Sequence, residues 1–337
     1  MTDNWNLLGH EWAVDMLRQH VAHDSARHAY LFCGPPGLGR RTLALRFAQA
    51  LNCSSPLAPG EPCLTCRDCK QIEAMQHPDL TIIQAENEDR TGKEGGTLKV
   101  DQIREIRRTL NLKPYQSKYR VALFLRFQEA NDNAANALLK TLEEAPAHVV
   151  LLLTADSPEQ LLPTIVSRCE VLRLRPLSVG SVEAWLRERG TQEEQARLIA
   201  HISGGRPGYA ARLLGDENLL DAREQRLSDL QTLLPSTRVT KFAYVEKLAR
   251  DKDAMRQTIM IWLSYWRDVM LRTAQAETPI INIDRNMEIE FLAGQLDLPK
   301  ARRVVSALER ALEQLDRNVN PRLLGEVLLL DWPKPGN

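Results

Sequence analysis

A glycine-rich loop, CGPPGLGRRTLA at positions 33–44, most constrains how this chain can fold. The apolar run HAYLFCG leads into the loop and the helical pattern TLALRFAQALNC follows, which predicts a strand, a loop and a helix. Three later apolar runs, DLTIIQA, YRVALFLRF and HVVLLLTA, alternate with helical patterns such as VDQIREIRRTL and NAANALLKTLEEA. The alternation predicts a doubly wound α/β domain with a parallel sheet over roughly the first half of the chain.

The loop departs from the phosphate-binding pattern Gly-x-x-x-x-Gly-Lys-[Ser/Thr], in which glycine amides hold phosphates, Lys reaches the β- and γ-phosphates and a hydroxyl binds Mg²⁺. Gly34 and Gly39 are in register with this pattern. Arg40 replaces the Lys, Arg41 replaces the hydroxyl residue, and Thr42 comes one position late. A guanidinium keeps the charge, but it is wider than an ammonium and has no lone pair for Mg²⁺.

Length and charge limit the classes of protein to which the chain can belong. A chain of 337 residues is expected to form two or three domains. Lys plus Arg and Asp plus Glu both number 44, so any contact with nucleic acid must be local. The start has no signal-peptide pattern, and the longest apolar run, VVLLL at 149–153, is too short to span a bilayer. We therefore expect a soluble, cytoplasmic protein with no membrane partner.

The sequence predicts three domains, because its pattern changes after VLRLRPLS. They are an α/β domain at 1–174, a small helical domain at 175–214 and an all-α domain at 215–337. The charged, glycine-rich segment 86–96 predicts a hairpin or loop within the first domain.

Four cysteines, Cys53, Cys63, Cys66 and Cys69, follow the helix after the glycine loop and predict a structural Zn²⁺ site at 53–69. The x2 spacings let neighbouring thiolates converge on one tetrahedral ion, and four cysteine ligands leave no position for a catalytic water. Reduced thiols without a metal and a local disulfide are the alternatives. Cys33 and Cys169 lie in other segments, and we assign them no chemistry.

Four segments of the sequence are informative together: NALLKTLEEAP at 136–146, the tripeptide SRC at 167–169, the four-cysteine insertion and the opening LLGHEWAVDMLRQHV. With these segments the chain resembles bacterial DNA polymerase III clamp-loader AAA+ subunits, most of all those of the delta-prime type. The resemblance implies a P-loop (AAA+) domain, a small helical lid and an all-α collar. It also implies a five-subunit ring with tau/gamma motor subunits and delta, which opens the sliding clamp and loads it on primed DNA as part of a polymerase (nucleotidyltransferase) complex.

The family also implies an acidic pair at the end of a strand, which holds Mg²⁺ and orients the attacking water. Counting back from NALLK, Leu125 and Arg126 occupy these positions. An apolar residue cannot bind the ion and a cation repels it. Glu129 and Asp132 come three or more residues later, and a shifted register could bring one of them to the site only if the strand ended late, which strict octahedral geometry disfavours.

Motor subunits of the family place an Arg at the start of a lid helix to sense the γ-phosphate, and here Gly208 occupies that position. Arg206 lies two residues earlier, and for this residue a surface cation near a helix start is at least as good an interpretation as a phosphate contact. Thr154 matches the polar residue that the family places beside the γ-phosphate. The degenerate nucleotide site therefore comprises Gly34, Gly37, Gly39, Arg40, Thr42 and Thr154.

These departures predict a subunit without ATPase activity of its own, and they do not predict whether ATP or ADP binds. The first alternative is an ATP-hydrolysing motor subunit of the same loader. The second is a zinc-dependent DNA-binding module, which the neutral net charge disfavours. In this family the Arg that matches Arg168 reaches the γ-phosphate held by the neighbouring subunit, so the resemblance implies an arginine finger that acts in trans. A surface ion pair is the simpler interpretation of the same residue.

Two further patterns have a structural interpretation. An aromatic and apolar stripe from Trp262 to Met270 has helical spacing and predicts core. The stretch 99–120 carries seven basic residues against two acidic ones. We favour a solvated helix face there over contact with DNA phosphates, because we find no stacking aromatics among the charges.

Overall fold

The computed structural model describes residues 4–85, 96–317 and 319–333. Most of the predicted loop at 86–96 lies outside these ranges. The chain divides into two compact units, one comprising 1–177 with 206–209 and the other 178–205 with 210–337.

The first unit is a parallel sheet with helices on both faces. Its elements follow the order α1 (Glu11–Ala22), β1 (Ala29–Cys33), α2 (Arg40–Asn52), α3 (Arg67–Glu73), β2 (Leu80–Ile83), α4 (Val100–Leu110), β3 (Arg120–Phe124), α5 (Asp132–Glu143), β4 (Val149–Ala155), α6 (Pro163–Val166) and β5 (Glu170–Arg173). The strand order is β2-β3-β4-β1-β5, and every pair is parallel. The predicted α/β domain with a parallel sheet is confirmed.

Successive residues of each strand pack into different cores. Tyr30 and Phe32 join a cluster that includes residues of α1 and α2. Leu31 and Cys33 join a second cluster that includes residues of α4 and α5. Because both faces are covered, β1 and β4 are buried along their whole length, which explains their continuous apolar sequences.

Helices make up the second unit, together with a short 3₁₀ turn at Ile283–Arg285. The helices are α7 (Val179–Glu188), α8 (Glu193–Ser203), α9 (Pro207–Gly215), whose first turn belongs to the first unit, α10 (Glu217–Leu233), α11 (Arg238–Leu248), α12 (Lys252–Thr273), α13 (Asn286–Ala293), α14 (Leu298–Asp316) and α15 (Pro321–Leu330). The predicted helical C-terminal region is confirmed. No helix among the described residues is long and apolar enough to cross a membrane.

The stripe on α12 is the centre of this helical core. Trp262, Tyr265, Trp266 and Val269 are each at most 1% exposed. The ring of Trp332 meets that of Trp262 edge-on, with centroids 4.9 Å apart. The core interpretation of the stripe therefore holds in the structure.

A buried polar network fixes the segment between α12 and α13. Asp268, on α12, accepts hydrogen bonds from the backbone N–H groups of Ile281 and Asn282. Arg223 donates to both carboxylate oxygens of Asp284 and to the side-chain oxygen of Asn282. These bonds satisfy polar groups that would otherwise destabilise the core.

We expect Trp266→Ala to lower the free energy of unfolding by about 3–5 kcal/mol, because it removes a fully buried ring and leaves a cavity. Met260→Ala on the same helix is the control, since that residue is 49% exposed, and its effect should stay within about 1 kcal/mol. Urea denaturation followed by circular dichroism measures both. Equal losses would contradict the central position of Trp266.

Candidate functional site

The glycine loop leaves the end of β1 beside the end of β4. Cys33 pairs with Ala155 in the sheet, and the N–H of Gly34 donates to the carbonyl of Ala155 at 3.3 Å. Gly34 and Gly37 both have positive φ, and α2 begins directly after Gly39. The predicted strand, loop and helix are therefore present, with the amino end of α2 at the loop.

Arg40 is bound inside the protein rather than presented to a ligand. Its side chain is 9% exposed, and its Nη1 atom donates to Oδ1 of Asp156 at 2.7 Å. Asp156 directly follows β4. The guanidinium at the position of the phosphate-binding Lys is thus neutralised by a carboxylate from the adjacent strand end.

The start of α9 packs directly on the loop. The N–H of Gly208 donates to the carbonyl of Gly37 at 2.8 Å. A Cβ at Gly208 would lie 3.0 Å from that oxygen, and a Cβ at Gly37 would lie 2.9 Å from Cβ of Tyr209. The guanidinium of Arg206 stacks on the Tyr209 ring at 4.7 Å. Gly208, at the position where motor subunits of the family carry the sensor Arg, therefore makes a backbone contact with the loop.

The ends of β3 and β4 are also bonded to each other. The Thr154 hydroxyl accepts a hydrogen bond from the N–H of Arg126 at 2.9 Å and donates to the carbonyl of Phe124 at 3.4 Å. Leu125 is buried, and the Arg126 guanidinium lies 3.1 Å from the Glu129 carboxylate. The structure thus places Leu125 and Arg126 just after a strand, as the sequence predicted, and pairs Glu129 with a cation.

Two residues that were considered for the nucleotide site lie on the surface. Thr42 is exposed in the first turn of α2, and Asp132 is exposed at the first position of α5. No hydrogen bond within the described residues joins the side chain of either one to the loop.

The four predicted cysteines come together at one point. Their Sγ atoms all lie within 4.8 Å of one another, with Cys53 and Cys63 at 3.5 Å and Cys53 and Cys66 at 3.9 Å. Thiolates bound tetrahedrally to Zn²⁺ at about 2.3 Å lie about 3.8 Å apart, so the sulfurs fit this ion. All six cysteines are free thiols, and the Cys53–Cys63 separation is far longer than a disulfide bond.

Local hydrogen bonds favour thiolates at two of these cysteines. Burial opposes ionisation of Cys63, but hydrogen bonds from nearby groups outweigh it and lower its pKa to about 6. The pKa of Cys66 is lowered in the same way, whereas burial raises the pKa of Cys53 and of Cys69. A bound divalent cation would favour the thiolate form at all four.

Contacts with α1 and α2 anchor the cysteine segment. The Gln49 amide donates to the carbonyl of Cys69 at 2.7 Å, and Glu61 pairs with Arg18 at 2.5 Å. Gly60 has φ +80°, and a Cβ there would lie 2.5 Å from the carbonyl oxygen of Arg18. The cluster therefore sits on the α/β core and does not form a separate module.

Arg168 lies two residues after the end of α6. Its Nη2 atom donates to Oε1 of Glu143 at 2.7 Å, and its Nη1 atom donates to the carbonyl of Thr164 at 2.9 Å. The Arg168 and Glu143 side chains are 36% and 49% exposed. The structure therefore contains the surface ion pair that was the simpler interpretation of this residue.

Burial makes the two remaining cysteines weak acids. It raises the pKa of Cys33 to about 11 and that of Cys169 to about 12. Both are therefore neutral thiols near pH 7, in agreement with their assignment as small apolar side chains.

Sequence reasoning missed Asp156 and the contact of Gly208 with Gly37. Asp156 had a usable signal, because the carboxyl ends of parallel strands meet at one edge of a sheet and this residue follows the run VVLLLTA. The glycine-to-glycine contact had none, because it joins segments about 170 residues apart.

The sequence of the chain is similar to those of known proteins. The family model described as "DNA polymerase III, delta subunit" matches residues 9–178, and the model for its C-terminal part matches residues 217–334. The DNA polymerase III subunit delta' of Pseudomonas aeruginosa is 32% identical, covering 96% of this chain and 98% of that protein. The subunit delta' of Bacillus subtilis is 28% identical, covering 94% of each chain. The subunit tau of Salmonella typhimurium is 33% identical over 58% of this chain and 28% of its own length.

Asp156→Ala should lower the free energy of unfolding by about 1–3 kcal/mol, because it leaves the buried Arg40 guanidinium without its acceptor. Glu159→Ala is the matched control. It breaks an ion pair with Arg173 in which both side chains are at least 60% exposed, so it should lower the free energy of unfolding clearly less. Chemical denaturation of the three proteins measures the difference. An Asp156 variant as stable as the Glu159 variant would contradict this account of Arg40.

Proposed function

The chain belongs to the family of DNA polymerase III delta' subunits, and from this premise we propose that it is a non-hydrolysing subunit of the clamp loader. In this role it helps to assemble, with tau/gamma and delta subunits, the five-membered ring that opens the sliding clamp and loads it on primed DNA. It acts in the cytoplasm as part of the polymerase holoenzyme.

One observation carries the non-hydrolysing role: the groups at the glycine loop bind one another. Arg40 is held by Asp156, and Gly208 bonds to Gly37. Leu125 and Arg126 stand where hydrolysis needs an acidic pair. A motor subunit, the alternative, would need a carboxylate at this strand end and a Lys or an equivalent cation turned to the phosphates.

Through Arg168, such a subunit promotes ATP hydrolysis by the neighbouring subunit. Its pair with Glu143 is partly exposed, and exposed pairs stabilise proteins by less than about 1 kcal/mol. Exchange of the carboxylate for a γ-phosphate therefore costs little. A guanidinium binds phosphate oxygens bidentately and stabilises the charge that develops during transfer.

We further assign residues 215–337 to the ring's collar and residues 175–214 to the lid. Apolar side chains on the outside of the second unit support the collar assignment. Leu323, Val327 and Leu330 lie on α15 at i, i+4 and i+7 and are each at least 42% exposed, while Val239 on α11 is 79% exposed. An apolar stripe of this kind suits packing against a neighbouring helix.

A structural Zn²⁺ held by Cys53, Cys63, Cys66 and Cys69 is the third part of the proposal. The sulfur separations and the free thiols support it. The ion would tie the segment between α2 and α3 to the core, because Cys53 directly follows α2 and Cys66 caps α3. With four thiolate ligands it would have no catalytic role.

Protein purified without chelators should contain one zinc per chain by elemental analysis, and Cys66→Ser should lose most of it. The Cys66 variant should also unfold at a lower temperature, because metal binding stabilises the folded state. Cys169→Ser, outside the cluster, should keep the zinc. A chain without zinc, or a Cys66 variant that retains it, would contradict the assignment.

Arg168→Ala should slow ATP hydrolysis by the reconstituted ring, in the presence of clamp and primed DNA, by on the order of tenfold or more. Clamp loading should fall with it, while size-exclusion chromatography should show an intact ring. Glu143→Ala breaks the same ion pair but keeps the guanidinium, so it should retain hydrolysis. A loss of hydrolysis in both variants would indicate that hydrolysis depends on the ion pair and not on the guanidinium itself. Unchanged hydrolysis in the Arg168 variant would show that Arg168 is not an arginine finger.

A further inference from the structure

We propose that the first unit carries a binding site for single-stranded nucleic acid at the carboxyl-terminal ends of α4 and α5, where a pocket takes a backbone phosphate and the ring of Tyr115 stacks on a base. The proposal deepens the DNA partner named in the proposed function. It concerns the chain itself, so it can fail or succeed without the ring.

The phosphate part of the site is a cavity of about 150 Å³ between α4 and α5. Arg107 and Asn111 line it from the side of α4, and Lys140, Thr141 and Glu144 line it from the side of α5. Thr141 is only 6% exposed, and its hydroxyl has no hydrogen-bond partner among the described residues. The hydroxyl oxygen itself is closed off from solvent, so a phosphate in the cavity must be held by the charged side chains that line it.

The two cations of the pocket are available to an anion. Arg107 lies 3.5 Å from Glu144, and these side chains are 44% and 75% exposed, so the pair is weak. Lys140 is exposed and has no acidic partner within the described ranges. Both helices end here, and their carbonyl ends repel anions. Binding of a phosphate therefore depends on these two side chains and should be sensitive to salt.

The loop from Asn111 to Tyr119 is held rigidly beside the pocket. Asp79, which is fully buried, accepts hydrogen bonds from the backbone N–H groups of Tyr115, Gln116 and Ser117 at 2.6, 2.9 and 3.1 Å. Burial opposes the charge of this carboxylate, but the three donors outweigh it and keep the pKa of Asp79 below its ordinary value. The backbone on either side of Tyr115 is therefore fixed.

Two further bonds hold the start of the same loop. The carbonyl of Leu112 is bonded to Nε2 of His148 at 3.2 Å, and the carbonyl of Lys113 accepts from Arg120 at 3.3 Å. Asn111 lines the pocket and directly precedes Leu112 in the chain. The loop therefore begins at the wall of the pocket.

The rigid loop presents its side chains to solvent. Tyr115 is 81% exposed, Leu112 is 60% exposed, and Lys113 is exposed between them. A large ring on a fixed backbone loses little conformational entropy when it binds a partner.

The charge around the ring favours nucleic acid as the partner. The stretch 99–120 carries seven basic residues against two acidic ones, and Arg104 and Arg108 are exposed on the same helix as Arg107. The interpretation of this stretch as a solvated face rests on the lack of a stacking aromatic among its charges. Tyr115 is such an aromatic. Exposed aromatic rings among phosphate-binding cations are typical of proteins that bind single strands without sequence preference.

The test is fluorescence anisotropy of a labelled oligothymidylate of about 12 nucleotides, titrated with the isolated full-length chain at low salt. We expect saturable binding that weakens as salt rises. Tyr115→Ala should weaken binding about fivefold or more, while Tyr115→Phe, which keeps the ring, should bind as the native chain does. Arg107→Ala should weaken binding and reduce the slope of log affinity against log salt by about one.

Three further variants separate the site from general charge effects. Arg104→Ala is the matched control, because Arg104 lies on the same helix, pairs with Asp101 and does not line the pocket. It should cost clearly less affinity than Arg107→Ala. Glu144→Gln should strengthen binding, since it removes the carboxylate that competes for Arg107. Thr141→Val should bind as the native chain does, because the hydroxyl it removes is closed off from the cavity.

The outcomes distinguish the sources of phosphate and the classes of partner. Inorganic phosphate should compete with the oligonucleotide only at much higher concentration; binding of phosphate alone would reduce the pocket to an anion site and overturn the proposal. Equal losses from the Arg104 and Arg107 variants would overturn it as well. So would a Tyr115→Ala chain that binds the oligonucleotide normally but impairs ring assembly, since that result assigns the loop to a protein partner. None of these measurements depends on ATP hydrolysis by the ring.

Discussion

The pairing of β1 with β4 determines where the groups of the glycine loop can lie. The two strands run parallel with Phe32 opposite Thr154, so their carboxyl ends meet at one edge of the sheet. This register puts Asp156 within reach of Arg40, which begins the helix after the loop. In a phosphate-binding loop the cation at this position faces a ligand. Here the sheet supplies its counter-charge, so the loop keeps its fold without an added anion.

Much of the architecture could be predicted because it follows from local patterns. Strands covered on both faces need continuous apolar runs, and YRVALFLRF and HVVLLLTA are such runs. The stripe around Trp262 and Trp266 has the period of a helix and is buried as the period requires. The cysteine cluster could be predicted for the same reason, since the x2 spacings of Cys63, Cys66 and Cys69 around the start of α3 bring their sulfurs together.

The parts that sequence could not predict depend on contacts between distant segments. Gly208 and Gly37 come into contact only because the sheet and α9 are in place, and no periodic pattern in the sequence predicts this contact. Arg168 could be placed near a helix end, but its partner Glu143 lies on another helix. Tyr115 is ambiguous in sequence, because an aromatic before a strand is usually core. It is exposed because Asp79 binds the backbone of its loop and leaves the ring outside.

A loop whose polar groups are bonded within the protein has a consequence for a subunit in a ring. In a motor subunit, the bonds at the nucleotide site change when the nucleotide binds or is hydrolysed, and the contacts of the lid change with them. In this chain Arg40 bonds to Asp156, and the bond of Gly208 with Gly37 holds the start of α9 on the loop. Arg168 lies apart from this loop and bonds to Thr164 and Glu143. The proposed loss of catalysis and the proposed arginine finger are therefore compatible, because they concern different residues of the first unit.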